Sequence, residues 1–170
     1  MTIVLIASVL YLLSTALLVR RLAHAGPGMP LAVWSMPTVA TLLHAAAHLL
    51  DWREAGGANL HVFSALSLVA LGMAALTLLV GARGRMAALG VIVFPIAAAM
   101  LVAYGLFGRH DPKPMDWRVQ LHAWCALLAY ATLAIAALLA TLSWAQERAL
   151  RKRNLKGWLR ALPPLVELET

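Results

Sequence analysis

Apolar residues in this chain occur in long runs, and not at the spacing of an amphipathic helix. Five runs are long enough, at ~1.5 Å of rise per helical residue, to cross a hydrocarbon core of about 30 Å. They are Ile3–Val19, Pro30–Leu50, Leu60–Gly81, Met86–Phe107 and Trp117–Ala145. The connections between them are short. The pattern therefore predicts an all-α, polytopic transmembrane bundle of five helices, with residues 1–170 as a single transmembrane domain.

The composition agrees with a membrane protein. Hydrophobic residues make up 62% of the chain and the mean hydropathy is +0.81, well above soluble domains, which are roughly half apolar. The first run has no Lys or Arg before it, and Arg20 and Arg21 follow it. That order is the reverse of a signal peptide, so we expect the first run to remain as a membrane helix.

The distribution of Lys and Arg predicts the orientation of the helices. Ten fall on one side, namely Arg20, Arg21, Arg83, Arg85, Arg148, Arg151, Lys152, Arg153, Lys156 and Arg160, and four on the other, namely Arg53, Arg109, Lys113 and Arg118. The richer side is normally cytoplasmic. We therefore expect the N-terminus outside, the C-terminus inside, and a basic cytoplasmic tail over residues 146–170. The net charge of +7 then favours anionic lipid headgroups, and no nucleic acid partner is expected.

Five of the six histidines fall near the predicted outer side: His44, His48, His61, His110 and His122. An ionisable group inside a membrane span is costly, by a few kcal/mol on insertion scales, and often marks a ligand site. Neutral imidazole binds heme iron, zinc and copper. The gathering of histidines predicts a heme or metal site at the outer face.

The histidines differ in depth. His44 and His48 are four residues apart and share a helix face, while His61 begins the third span and His122 lies about 7 Å into the fifth. Near the interface, His48 and His61 are also ordinary polar residues close to water, so they are the weaker metal candidates. The deeper His44 and His122 are the stronger candidates, although a histidine hydrogen-bonded between helices would look the same.

Other chemistry has little support in the sequence. Arg118 lies one turn before His122, where its guanidinium could meet a heme propionate or simply mark the interface. Cys125 is the only cysteine, which excludes a disulfide or a c-type heme attachment motif within the chain. Motifs for hydrolysis or nucleotide binding do not occur. We nominate no catalytic residue and expect no enzyme activity of its own.

Prolines, tryptophans and alanines suggest further structural features. Pro37 and Pro95 fall inside the second and fourth spans, where proline removes a backbone hydrogen bond. Tryptophans near the span ends predict interfacial belts, with Trp34 and Trp144 inside and Trp52 and Trp117 outside. Small residues along the fifth span suit close helix packing; they are Ala126, Ala129, Ala136 and Ala140.

Several segments resemble one protein family. Trp117–His122 ends in Leu-His and is followed by Leu127-Leu128-Ala129-Tyr130-Ala131. This order is similar to a helix of the cytochrome c assembly proteins, the Ccs-type heme-handling membrane proteins. Further matches are Leu42-Leu43-His44-Ala45, Gly57-Ala58-Asn59-Leu60 and the Leu162–Glu169 tail with its Leu-Pro-Pro-Leu. The individual motifs are degenerate, and their order and spacing carry the resemblance.

The resemblance implies a function and a set of site residues. Members of the family handle heme during cytochrome c maturation, so it implies b-type heme as cofactor, His122 as the outer-face iron ligand and His44 as an intramembrane ligand. It also implies a bacterial inner-membrane location and other cytochrome c maturation proteins as partners. The family's tryptophan-rich external motif is missing, and family members continue with further helices. The chain thus resembles the shorter inner-membrane branch, and we expect it to be the N-terminal part of a longer family domain.

Two alternatives to heme binding remain at this point. A copper- or zinc-handling protein would bring His44, His48, His61 and His122 together at ~2 Å from one ion. A non-catalytic scaffold or regulatory subunit would use its histidines only to close helix contacts.

The predicted orientation can be tested directly, because every statement about an outer face depends on it. We expect reporter fusions in the Asp51–Gly57 and Arg109–Asp116 connections to lie outside the cytoplasm, and fusions after Arg21 or Arg148 to lie inside it. Cytoplasmic signals from the first two fusions would withdraw the outer-face site.

Overall fold

The computed structural model describes residues 1–23, 32–58, 60–81, 87–108 and 116–151. These ranges form five helices and contain no strand: α1 (Thr2–Ala23), α2 (Ala32–Ala55), α3 (Val62–Gly81), α4 (Ala87–Phe107) and α5 (Trp117–Arg151). Each is long and apolar enough to cross a membrane. The prediction of an all-helical, multi-pass membrane protein with five spans is confirmed. His110 and most of the predicted tail lie outside the described residues.

The first four helices form a ring in which each packs against its neighbours. α1 contacts α2 and α4, and α3 contacts α4 and α2. The fifth helix, α5, lies outside the ring and packs mainly against α3. Because successive helices run in opposite directions, the start of α1, the end of α2, the start of α3, the end of α4 and the start of α5 share one end of the bundle. We call this the histidine end, since it carries the described histidines.

Buried hydroxyl groups inside the ring are satisfied largely within their own helices. Ser14 donates to the carbonyl of Leu10 at 2.7 Å, and Thr77 donates to that of Met73 at 2.8 Å. A backbone carbonyl one turn earlier is a convenient acceptor where no water is present. These groups can therefore line helix contacts without needing a partner on another helix.

The end of α2 differs from the sequence prediction. The apolar run stops at Leu50, but the helix continues for another turn and a half and ends at Ala55. Gly56 has a φ of 76°, and the amide of Gly57 donates to the carbonyl of Trp52 at 3.0 Å. This is a glycine C-cap of the Schellman type. The extra turn places Trp52 on the same face as His44 and His48.

The contact face of α5 also differs from the prediction. The buried side chains are Ala131, Ile135, Leu142 and Gln146, which follow helical spacing along one side. Three of the alanines expected to pack are exposed, namely Ala129, Ala136 and Ala140. The sequence identified an alanine-rich helix but not which of its faces meets α3. At the contact, a Cβ added to Gly72 would lie 2.8 Å from the Cβ of Ala131.

Trp34 is a further difference. The sequence suggested a place in an interfacial belt, whereas its side chain is 5% exposed and covers Gly81 of α3. A Cβ at position 81 would collide with the indole ring. Trp34 therefore fills the contact between α2 and α3.

We expect Gly72→Ala to weaken the packing of α5 on α3, because the new methyl group overlaps that of Ala131. Overpacking typically costs about 1–3 kcal/mol, measurable as a lower free energy of unfolding in detergent. In the Ala131→Gly background the same change should cost much less, since the opposing methyl group is gone. Equal costs in both backgrounds would contradict this contact.

Candidate functional site

Two of the predicted site histidines lie inside the bundle at its histidine end. His44 and His48 are 0% and 1% exposed, and they project from α2 one turn apart. Their rings are stacked with centroids 5.6 Å apart and planes at 21°. Burial of two imidazoles side by side in a membrane bundle requires hydrogen-bonding partners from neighbouring helices.

Ser67 of α3 supplies a partner shared by both histidines. Its Oγ lies 2.9 Å from Nε2 of His44 and 3.0 Å from Nε2 of His48. The hydroxyl has a single hydrogen, so it can donate to one imidazole only and must accept from the other. The two neutral rings must therefore carry their hydrogens on different nitrogens.

Tyr11 of α1 determines which of the two histidines carries its hydrogen on Nδ1. Thr41 donates to the carbonyl of Pro37 at 2.8 Å, so its oxygen accepts from the Tyr11 hydroxyl at 3.1 Å. Since the hydrogen of Tyr11 is used there, its oxygen accepts from Nδ1 of His44 at 3.4 Å. His44 thus holds its hydrogen on Nδ1, and its Nε2 is an acceptor.

The remaining hydrogen positions follow in order. Ser67 donates to Nε2 of His44, and Nε2 of His48 donates to Ser67. His48 is left with a lone pair on Nδ1, a buried atom with no hydrogen-bond partner among the described residues. We call the side chains of His48, Ser67, His44, Tyr11 and Thr41 the polar chain; it joins α1, α2 and α3.

Aromatic rings enclose the polar chain. Tyr104 of α4 stacks on His48 with centroids 4.1 Å apart, and Phe94 of α4 stacks on Tyr11 at 5.7 Å. Trp52 lies one turn beyond His48, with centroids 5.7 Å apart, and meets Trp124 of α5 edge-on at 5.2 Å. All five helices therefore contribute to the surroundings of the two buried histidines.

His122 lies in a different environment. Its side chain is exposed on the face of α5 that points away from α3. Arg118, one turn earlier, is also exposed, and its guanidinium carbon lies 5.4 Å from the centroid of the Trp117 ring. Asp116 caps this end of α5 by accepting from the amide of Arg118 at 2.8 Å. Arg118 thus presents a guanidinium on the capped first turn of α5, and His122 presents an imidazole one turn further along.

The structure does not gather the histidines around one point. His61 precedes α3, is half-buried and lies against Phe63, with ring centroids 5.9 Å apart. In the described parts of the chain, no group of three or more His, Cys, Asp or Glu side chains is placed to hold a metal ion. The copper or zinc alternative therefore lacks the convergence it requires.

The two predicted heme ligands differ in how well they suit an iron atom. The exposed imidazole of His122 can approach a porphyrin without rearrangement of the bundle. His44 has a hydroxyl group at each ring nitrogen, at 2.9 and 3.4 Å, and its ring lies between Tyr11 and His48. For His44 to bind iron, Ser67 or Tyr11 would have to move away. Its role as a ligand stays a prediction.

Sequence reasoning missed Ser67, Tyr11, Tyr104 and Trp52 as parts of this site. A weak signal existed for Ser67, since it is one of the few polar residues in the third span, with His61, Ser64 and Thr77. Tyr104 is an isolated polar residue in the fourth span, whereas Tyr11 lies among Ser8, Ser14 and Thr15 in the first. Without the helix arrangement, none of them could be assigned to the histidines.

The fold and the buried histidine pair define a polytopic membrane protein whose histidine end carries imidazoles in two settings, one enclosed and one exposed. The model of the cytochrome C assembly protein family matches residues 42–170, which is more than half of the chain. The chain belongs to this family, and its role lies in cytochrome c biogenesis. Comparison with curated proteins and with solved structures finds no match.

We expect Ser67→Ala to destabilise the bundle, because Nε2 of both histidines loses its partner. Interhelical hydrogen bonds in membranes are worth about 0.6–2 kcal/mol each, so the loss should be roughly 1–3 kcal/mol in thermal or denaturant unfolding. Ser14→Ala is the matched control, since Ser14 is equally buried but donates within its own helix. Equal losses for the two variants would mean that Ser67 does not hold the histidines.

Proposed function

We propose that this protein binds heme at its histidine end as a non-catalytic component of cytochrome c assembly, with His122 as an iron ligand. Family membership supports the role in cytochrome c biogenesis. The exposed imidazole of His122 near a guanidinium is the observation that supports the ligand assignment. We further propose the bacterial inner membrane as its location, with the histidine end outside, and other cytochrome c maturation proteins as partners.

The residues around His122 suit the recognition of heme in two ways. Heme, when bound, supplies an iron that accepts imidazole and two propionates that accept hydrogen bonds. His122 would provide the imidazole, and Arg118 would pair with a propionate. Because Arg118 is exposed, that pairing is worth about 0–1 kcal/mol, so the iron ligand should dominate the affinity.

His44 is proposed to act at a deeper stage, as a second ligand or in a transfer step. In the described conformation its nitrogens are occupied by Ser67 and Tyr11. Access to His44 therefore requires the side chain of Ser67 or Tyr11 to move away. This requirement separates an outer binding step from a deeper one.

We expect His122→Ala to abolish or strongly shift the heme absorption spectrum of the detergent-purified protein titrated with hemin, because an iron ligand is lost. Arg118→Ala should weaken binding by no more than about fivefold. Leu121→Ala, an exposed neighbour of His122, is the matched control and should bind as the original protein does. Circular dichroism would verify that each variant keeps its helices.

His44→Ala and Ser67→Ala separate the two roles of the buried histidine. If His44 binds iron, Ser67→Ala should release its Nε2 and strengthen heme binding, whereas His44→Ala should weaken it. Unchanged heme spectra and affinity in both His122→Ala and His44→Ala would overturn the heme assignment and favour the scaffold alternative.

A further inference from the structure

Two buried polar atoms on neighbouring turns of α2 at the histidine end have no hydrogen-bond partner within the described part of the chain. They are Nδ1 of His48 and Nε1 of Trp52, and both atoms are buried. The residues are four apart on α2, with ring centroids 5.7 Å apart. Leaving such atoms unpaired away from water costs about 1–3 kcal/mol each. Two of them on adjacent side chains indicate a site.

The two atoms are complementary. The polar chain fixes the hydrogen of His48 on Nε2, which leaves Nδ1 as an acceptor, while the indole nitrogen of Trp52 is a donor only. One molecule that both donates and accepts would satisfy both. A cation at this position would be repelled by the indole N–H of Trp52, and an anion would be repelled by the lone pair on Nδ1 of His48. The chemistry therefore selects a small neutral hydroxyl compound.

We propose that His48 and Trp52 form a binding site for a water molecule, which donates to Nδ1 of His48 and accepts from Nε1 of Trp52. Water is the smallest hydroxyl compound and commonly joins buried polar groups that lack protein partners. Trp52 is half-buried on the last turns of α2, so the site lies near the aqueous boundary. This proposal does not depend on heme binding.

The bound water gives the buried histidines a connection to solvent at the histidine end. At one end, the water extends the polar chain to Trp52. At the other end, Thr41 donates to the carbonyl of Pro37, which has no hydrogen to donate in turn. By helical rise, the distance from Trp52 to Pro37 along α2 is about 22 Å. Ring hydrogens of His44 therefore exchange with water through Ser67, His48 and the bound water.

The site can be tested by NMR on isotope-labelled protein in phosphatidylcholine nanodiscs, whose lipid has no hydroxyl group. We expect magnetisation transfer from water to the indole N–H of Trp52, a signal identified by its loss in Trp52→Phe. The ring-nitrogen shifts of His48 should show a protonated Nε2 and an unprotonated, hydrogen-bonded Nδ1. Trp52→Phe should change the Nδ1 shift, because the water loses its donor.

Trp124→Phe is the matched control, since Trp124 contacts Trp52 but carries neither of the two polar atoms. It should preserve the water transfer and the shifts of His48. A protonated Nδ1 on His48 would overturn the assigned hydrogen positions. Transfer to Trp52 from lipid alone, or from no source, would overturn the water site. Both measurements are made on the unaltered protein, and Trp52→Phe is needed only to assign the indole signal; the His48 shifts test the assigned hydrogen positions without any variant.

Discussion

The hydroxyl of Ser67 is the constraint on which the histidine end depends. One hydroxyl serves two imidazoles, and because it has one hydrogen it makes the two rings unequal. Tyr11 and Thr41 then fix which ring accepts and which donates. Three helices are joined by this chain in a setting where apolar surfaces gain little by leaving lipid for one another. The same hydrogen bonds that hold the helices together also determine that the imidazole nitrogen left with a lone pair is Nδ1 of His48.

Two of the described histidines, His44 and His122, lie in different settings that their sequence context did not separate. His44 and His122 appeared alike, since both lie well within predicted spans. In the structure His44 is enclosed by hydroxyl groups and rings, whereas His122 lies on the outer side of α5. Depth along a helix and position around it are independent quantities. The heme-binding role proposed for His122 and the hydrogen bonds by which His44 joins helices can therefore coexist in one bundle.

The fold was predictable from the sequence because apolar length alone specifies membrane spans. The number and approximate bounds of the helices followed from it. The end of α2 did not, since Gly56 and Gly57 stop the helix beyond the last apolar residue. The buried face of α5 was not predictable either, because lipid and protein contacts both favour apolar side chains. For the same reason, the placement of Trp34 required the structure.

The site was predictable only in part. The spacing of His44 and His48 predicted that they share one face of α2, and the structure places their rings side by side. The hydrogen-bonding partners could not be predicted, because Ser67 and Tyr11 approach the pair from other helices. No local sequence pattern specifies the order of the helices around the ring.

The position of α3 between α5 and the buried histidines has a mechanical consequence. Ser67 touches the histidines and Gly72 touches Ala131 of α5, and the two positions are about 7.5 Å apart along one rigid helix. A hydrogen bond at 3.0 Å tolerates only about half an ångström of stretch. A tilt of α5 that displaced Gly72 would therefore also displace Ser67 and stretch its hydrogen bonds to the histidines. The helix that presents His122 is thus connected to the buried pair through α3, in addition to the contact between Trp124 and Trp52.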